Sequence, residues 1–121
     1  MRNFEDLELY KACRKFRQDI SNVVRTFPKD EKYRLVDQLL RCSRSITANI
    51  AEGHGRYHFQ ENIQFCRQAR GSLSESLEHL LCASDEQIIN ETHLNEFRKA
   101  YDQCLNLLNG YISYLKKQKS S

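Results

Sequence analysis

The stretch Arg41-Cys42-Ser43-Arg44-Ser45-Ile46-Thr47-Ala48-Asn49-Ile50-Ala51-Glu52-Gly53-His54-Gly55-Arg56 decides the fold. It continues an apolar seam of Leu35, Leu39, Cys42 and Ile46, spaced in alternating fours and threes as one face of an α-helix requires. Carried forward, the same spacing puts Asn49 and Gly53 on the buried line. Gly in a helix interior costs about 1 kcal/mol relative to Ala. These positions are therefore predicted to serve a close or polar helix contact.

Working outward, the helical period recurs. A first helix is predicted over about 4–26, with seam Leu9, Cys13, Phe16, Ile20, Val23 and Phe27. Pro28 ends it, because the residue before a proline is biased away from helical dihedrals. A second helix spans about 30–52, with Asp30 and Glu31 at its positive end. Gly53-His54-Gly55 is expected to stop it through a left-handed exit. A third covers about 58–84, with Phe59, Ile63, Cys66, Leu73, Leu77 and Leu80 on its seam, and 85–90 is a connector. A fourth covers about 92–117, with Leu94, Phe97, Tyr101, Cys104, Leu108, Tyr111 and Leu115, and terminal lysines that complement its dipole. Helices of about 22 residues are about 33 Å long. Short connections favour antiparallel neighbours, so the predicted fold is all-α: a single domain, residues 1–121, forming an antiparallel up-down-up-down four-helix bundle.

There is more apolar surface than four seams explain. Leu7, Tyr10, Val24, Tyr33, Val36, Leu40, Ile50, Phe65, Leu81, Leu105, Leu107 and Ile112 lie off or beside them. Some widen the core stripe, and the remainder predicts a contact face for further copies of the chain.

Composition bounds the function. The 121 residues are 40% apolar and 29% charged, an ordinary balance for a soluble domain. No run approaches the roughly 18 apolar residues of a membrane span, and Met-Arg-Asn-Phe-Glu-Asp lacks the apolar stretch of a signal peptide. A cytoplasmic protein without membrane contact is expected. The five cysteines are odd in number, widely spaced and without a Cys-x-x-Cys pair. They read as small core hydrophobes, not as disulfides or a zinc site. The net charge of +3 is unevenly spread: residues 34–70 hold six Arg against three acids, and residues 71–102 hold seven acids against two bases. Such segregation suits an anionic partner, self-association, or simply solvated faces that balance within one bundle.

On the second helix, Arg41, Ser45, Asn49 and Glu52 form one stripe. On the third, Ala69-Arg70-Gly71-Ser72-Leu73-Ser74-Glu75 offers small residues to a close neighbour. Together they predict a polar network of Ser45, Asn49, Glu52, Gly53, Gly71, Ser72 and Glu75. One reading is a network that fixes helix register, as a buried Asn does in coiled coils. The other is a basic site for a phosphate backbone, built from Arg41, Arg44 and Arg56, with Arg67 and Arg70 alongside. No Glu-x-x-His pair of a di-iron bundle occurs, His93-x-x-Glu96 is reversed and solitary, and Gly53 and Gly55 place His54 and His58 on a turn. No metal site, cofactor or catalytic residue is predicted, and the chain does not read as an enzyme.

Phe27-Pro28-Lys29, Glu31, Tyr33, Leu35, Gln38-Leu39, Arg41, Ser45-Ile46, Asn49-Ile50-Ala51-Glu52-Gly53, Gly55-Arg56, Phe65, Ala69, Gly71-Ser72-Leu73 and Glu75 together carry a resemblance. Over nearly its whole length the chain resembles the bacterial four-helix-bundle proteins encoded in intervening sequences of large-subunit ribosomal RNA genes, sometimes labelled ribosomal-protein-like. That family is similar in fold to the accessory variability proteins of diversity-generating retroelements, pentameric rings that bind nucleic acid and a reverse transcriptase through basic surfaces. The resemblance implies an antiparallel bundle, a homopentamer and no catalytic residues. Cys42 and Arg44 depart from it, standing where small apolar residues are more usual.

The function expected from these readings is a non-enzymatic oligomeric bundle that binds RNA or DNA through Arg-rich surfaces. The alternative is a protein-interaction scaffold without nucleic-acid affinity. Arginines gathered into one basic surface favour the first, and arginines paired with Glu52, Glu61, Glu75 and Glu78 favour the second.

Overall fold

The first apolar seam is buried along its whole length. Leu9, Cys13, Phe16, Ile20 and Val23 line the inner face of α1 (Glu8–Val23), and Phe27 is buried just beyond it. The computed structural model describes residues 3–120. Three further helices follow: α2 (Leu35–His54), α3 (Phe59–Asp85) and α4 (Glu91–Ser120). No strand occurs among the described residues. The four helices form an all-α bundle in which α1 and α3 each pack against α2 and α4.

The contacts fix direction for neighbouring pairs. Between α2 and α3, Ser45 meets Ser72 and Cys42 meets Ser76. Between α3 and α4, Asn62 meets Tyr111 and Ser74 meets Tyr101. In each pair one number rises as the other falls, so these neighbours run antiparallel. Phe16 and Phe97 join α1 to α4 edge-on, with ring centres 6.1 Å apart.

Helix ends differ from the sequence expectation for local reasons. The first segment is not one helix over 4–26. Asn3 caps a short 3-10 turn, Phe4–Asp6, and its Oδ1 accepts the Phe4 N–H at 2.8 Å. Leu7 is extended, and α1 starts after it. A second 3-10 turn, Val24–Thr26, tightens the exit, and Phe27 is extended as a residue before proline must be. The second helix does not begin at Asp30. Lys29–Glu31 forms one 3-10 turn and Arg34 leaves helical geometry. The Glu31 carboxylate then accepts the Leu35 N–H at 3.3 Å, capping α2.

The glycine exit is also corrected. No described glycine has positive φ. Gly53 lies inside α2 and is buried, while Gly55 caps the helix at φ −77°. The left-handed residue is Gln87, at φ 62° after α3. There the Ile88 N–H bonds to the Ala83 carbonyl at 2.8 Å and the Gln87 N–H to that of Ser84 at 3.0 Å. This paired closure is a Schellman turn. Asn90 then caps α4, its Oδ1 accepting the His93 N–H at 2.7 Å.

The core contains Cys13, Phe16, Ile20, Leu39, Ile46, Ile63, Leu73, Phe97, Cys104 and Leu108, all buried. Leu77 is only half-buried. The buried line of α3 is Asn62, Cys66, Ala69, Leu73, Ser76, Leu80 and Ala83, itself spaced by fours and threes. Two of its members are polar and two are alanine, so hydrophobicity alone shifts the stripe onto Phe59 and Leu77. Phe59 is in fact 44% exposed.

Candidate functional site

The region where α2 meets α3 combines close backbone approach with a polar network, and α2 supplies both. A Cβ built on Gly53 would lie 2.7 Å from Asn62 Oδ1 and 2.9 Å from Phe65 Cβ. Neither distance is tolerable, so the two helices pass at a separation only glycine allows there. Asn62 is 7% exposed. Its amide donates to the Tyr111 hydroxyl of α4 at 3.2 Å, and its Oδ1 accepts the Cys66 thiol at 3.5 Å. Burial raises the Tyr111 pKa above the ordinary tyrosine value. The buried asparagine on the core line is therefore Asn62, which bonds α3 to α4 and packs against Gly53 of α2.

Asn49 lies beside the buried line, not on it. The core line of α2 passes from Ile46 to Ile50 and Gly53, and Asn49 is half-buried. Its amide donates to the Ser45 carbonyl at 2.9 Å and to Ser45 Oγ at 3.0 Å. Ser72 Oγ of α3 donates to Ser45 Oγ at 3.0 Å. Three predicted network residues, Ser45, Asn49 and Ser72, thus form one chain across the helices. Glu52, Gly71 and Glu75 lie outside it. Glu52 is exposed and faces Arg56, Gly71 is exposed with nothing within 4 Å of a built Cβ, and Glu75 bonds His79. Among the described residues no buried side-chain nitrogen or oxygen lacks a partner, so the network is complete within the chain.

The five arginines differ in what holds them. Arg41 is exposed and faces Asp37 at 3.7 Å. Arg56 lies between Glu52 (3.9 Å) and Glu61 (3.7 Å), with its guanidinium 4.9 Å from the Phe65 ring centre. Arg70 donates to Asn109 of α4 at 2.8 Å. Arg44 and Arg67 are exposed on α2 and α3, and their guanidinium groups make no hydrogen bond or ion pair among the described residues. Two further cations, Lys116 and Lys117, are exposed near the end of α4. Lys119 of the same helix reaches Gln60 at the start of α3. Tyr57 and Tyr114, 93% and 53% exposed, lie at this end of the bundle.

One constellation escapes a search for Glu-x-x-His. Cys42, Glu75 and His79 hold a sulfur, an oxygen and a nitrogen all within 4.8 Å of one another. The spacing on α3 is i,i+4, and the third residue comes from α2, so nothing contiguous in the sequence marks it. A groove of about 360 Å³ between α1 and α4 is lined by Lys15, Asp19, His93, Glu96 and others, and none of the five arginines lines it. Among the described residues no helix is long and apolar enough to cross a membrane.

A family model described as 23S rRNA-intervening sequence protein matches residues 5–110. No curated protein matches the chain.

Proposed function

The chain belongs to the 23S rRNA-intervening sequence protein family, and on that premise we propose that it is a non-enzymatic, self-associating helical bundle that binds RNA through phosphate contacts. The observation that carries this reading is the unneutralised state of Arg44 and Arg67, two exposed cations with no partner among the described residues. Lys116 and Lys117 add charge at the end of the bundle that also exposes Tyr57 and Tyr114. Cations that track a backbone, with aromatic faces nearby for unstacked bases, suit single-stranded nucleic acid and read little sequence. Arg41 and Arg56 contribute less, because acids already face them.

Self-association rests on apolar surface left beside the core. Val36, Leu40, Leu105 and Leu107 are only partly covered. Repetition of the chain by symmetry multiplies the exposed arginines presented to one strand of RNA. A ring of five is the assembly that the family resemblance favours.

One observation favours the second reading, a protein scaffold: Arg56 sits between Glu52 and Glu61, an arrangement that spends a cation internally. Fluorescence anisotropy with labelled single-stranded RNA at low salt separates the two. The RNA reading predicts saturable binding that weakens about tenfold in Arg44→Ala/Arg67→Ala and changes little in Arg41→Ala/Arg56→Ala. No binding to RNA or DNA by the intact chain selects the scaffold.

A further inference from the structure

We infer that Cys42, Glu75 and His79 form a binding site for a zinc-type divalent metal ion, closed between α2 and α3. The three donor atoms already lie within 4.8 Å of one another. Nε2 of His79 and a Glu75 carboxylate oxygen are 3.2 Å apart. Zinc holds nitrogen and oxygen at about 2.0–2.2 Å and sulfur at about 2.3 Å, so tetrahedral donors sit about 3.5 Å from one another. Closing the set asks for a change of at most about 1.3 Å in any donor separation, within reach of side-chain adjustment at the exposed Glu75 and the partly exposed His79.

The fold holds this geometry independently of any ion. Glu75 and His79 are one turn apart on α3 and share a face. Cys42 is brought opposite them by the antiparallel packing of α2, held by the Cys42–Ser76 contact at 3.2 Å within the site and by Ser45–Ser72 at 3.0 Å one turn away. The Ser76 hydroxyl lies between the Cys42 sulfur and the Ser72 carbonyl, which is 2.9 Å away. It has one proton to give. Once Cys42 is a thiolate, that proton turns to the sulfur and supports its charge.

The charges balance. Thiolate, carboxylate and neutral imidazole neutralise a divalent cation, and binding releases the Cys42 thiol proton to solvent. The mixture of thiolate, imidazole and carboxylate suits zinc better than magnesium or calcium, which take oxygen donors. Cys42 is 5% exposed and closes the inner side. The Glu75 and His79 side chains are 53% and 21% exposed, so the fourth position opens to water. This arrangement has three protein ligands and one exchangeable position, and it does not depend on Arg44 or Arg67.

Cobalt titration of the reduced, full-length chain tests the site. Co²⁺ is expected to bind with one equivalent per chain, giving thiolate-to-cobalt absorption in the near ultraviolet and the strong visible bands of four-coordinate cobalt, both removed by Zn²⁺. Cys42→Ser is expected to abolish the thiolate band. His79→Ala, on the other helix, is expected to weaken binding at least about tenfold. Cys82→Ser is expected to keep both signals, although Cys82 is the other cysteine beside a carboxylate, 3.4 Å from Glu78. Absence of the thiolate band in the intact chain overturns the inference. So does a band that survives both Cys42→Ser and His79→Ala. Should Cys42→Ser fail to fold, His79→Ala decides by affinity, because it alters a partly exposed side chain: a Co²⁺ affinity unchanged from that of the intact chain overturns the inference.

Discussion

A Cβ on Gly53 would sit 2.7 Å from Oδ1 of Asn62, so one residue on α2 sets how closely that helix approaches α3. Gly53→Ala gains about 1 kcal/mol of helix propensity but pushes into Asn62 and Phe65 Cβ, an overpacking cost of about 1–3 kcal/mol. Net destabilisation is expected. Gly71→Ala and Gly110→Ala meet nothing within 4 Å and are expected to stabilise by up to about 1 kcal/mol. Thermal or urea unfolding of the three variants gives opposite signs if the close approach is real.

Asn62 and Asn49 are expected to differ sharply. Asn62→Ala strands the Tyr111 hydroxyl beside a new cavity and should cost about 1–3 kcal/mol. Asn49→Ala removes two bonds, both to Ser45 of its own helix, at a half-buried position, and a change within about 0.5 kcal/mol is expected. Equal losses for the two variants in chemical denaturation would contradict the assignment of Asn62 as the hub.

Alkaline pH should weaken the fold through Cys66. Burial pushes its thiol from the ordinary 9.0 up to about 11. The folded state therefore keeps the proton where the unfolded chain has lost it. Its contribution is complete below pH 9.0 and disappears as pH rises towards 11. Unfolding free energy followed from pH 8 to 11 should fall less steeply in Cys66→Ala than in the unaltered chain.

Gln87 occupies the left-handed region at φ 62°, which costs a side chain about 1–2 kcal/mol. Glycine removes that cost but adds chain entropy to the unfolded state. Gln87→Gly is expected to raise stability by about 0.5–1 kcal/mol. A lower melting temperature would mean that the Gln87 side chain makes a compensating contact.

The bundle was legible because its apolar seams keep a helical period through α1, α2 and α4. The α3 stripe was harder to read, since Asn62 and Ser76 are buried there by virtue of partners on other helices. A buried polar residue carries no apolar signal, and its partners lie 49 and 34 positions away in the chain. Gly53 was visible as an anomaly, but its cause was not: close approach and a left-handed exit call for the same residue. The arginines could be counted in sequence, yet which of them acids neutralise depends on side-chain placement. Cys42, Glu75 and His79 were invisible as a group for the same reason, being assembled by packing between two helices.

The central functional claim is that exposed, unneutralised cations bind an RNA backbone. Its most direct test is the salt dependence of affinity for a single-stranded RNA, measured on the intact chain and on Arg44→Ala/Arg67→Ala. Each phosphate contact contributes about −0.7 to the slope of log affinity against log salt. A steep negative slope is expected, shallower by about 1.4 in the double variant when both arginines meet phosphates. A slope that is flat in the intact chain, or unchanged by the double substitution, would contradict it.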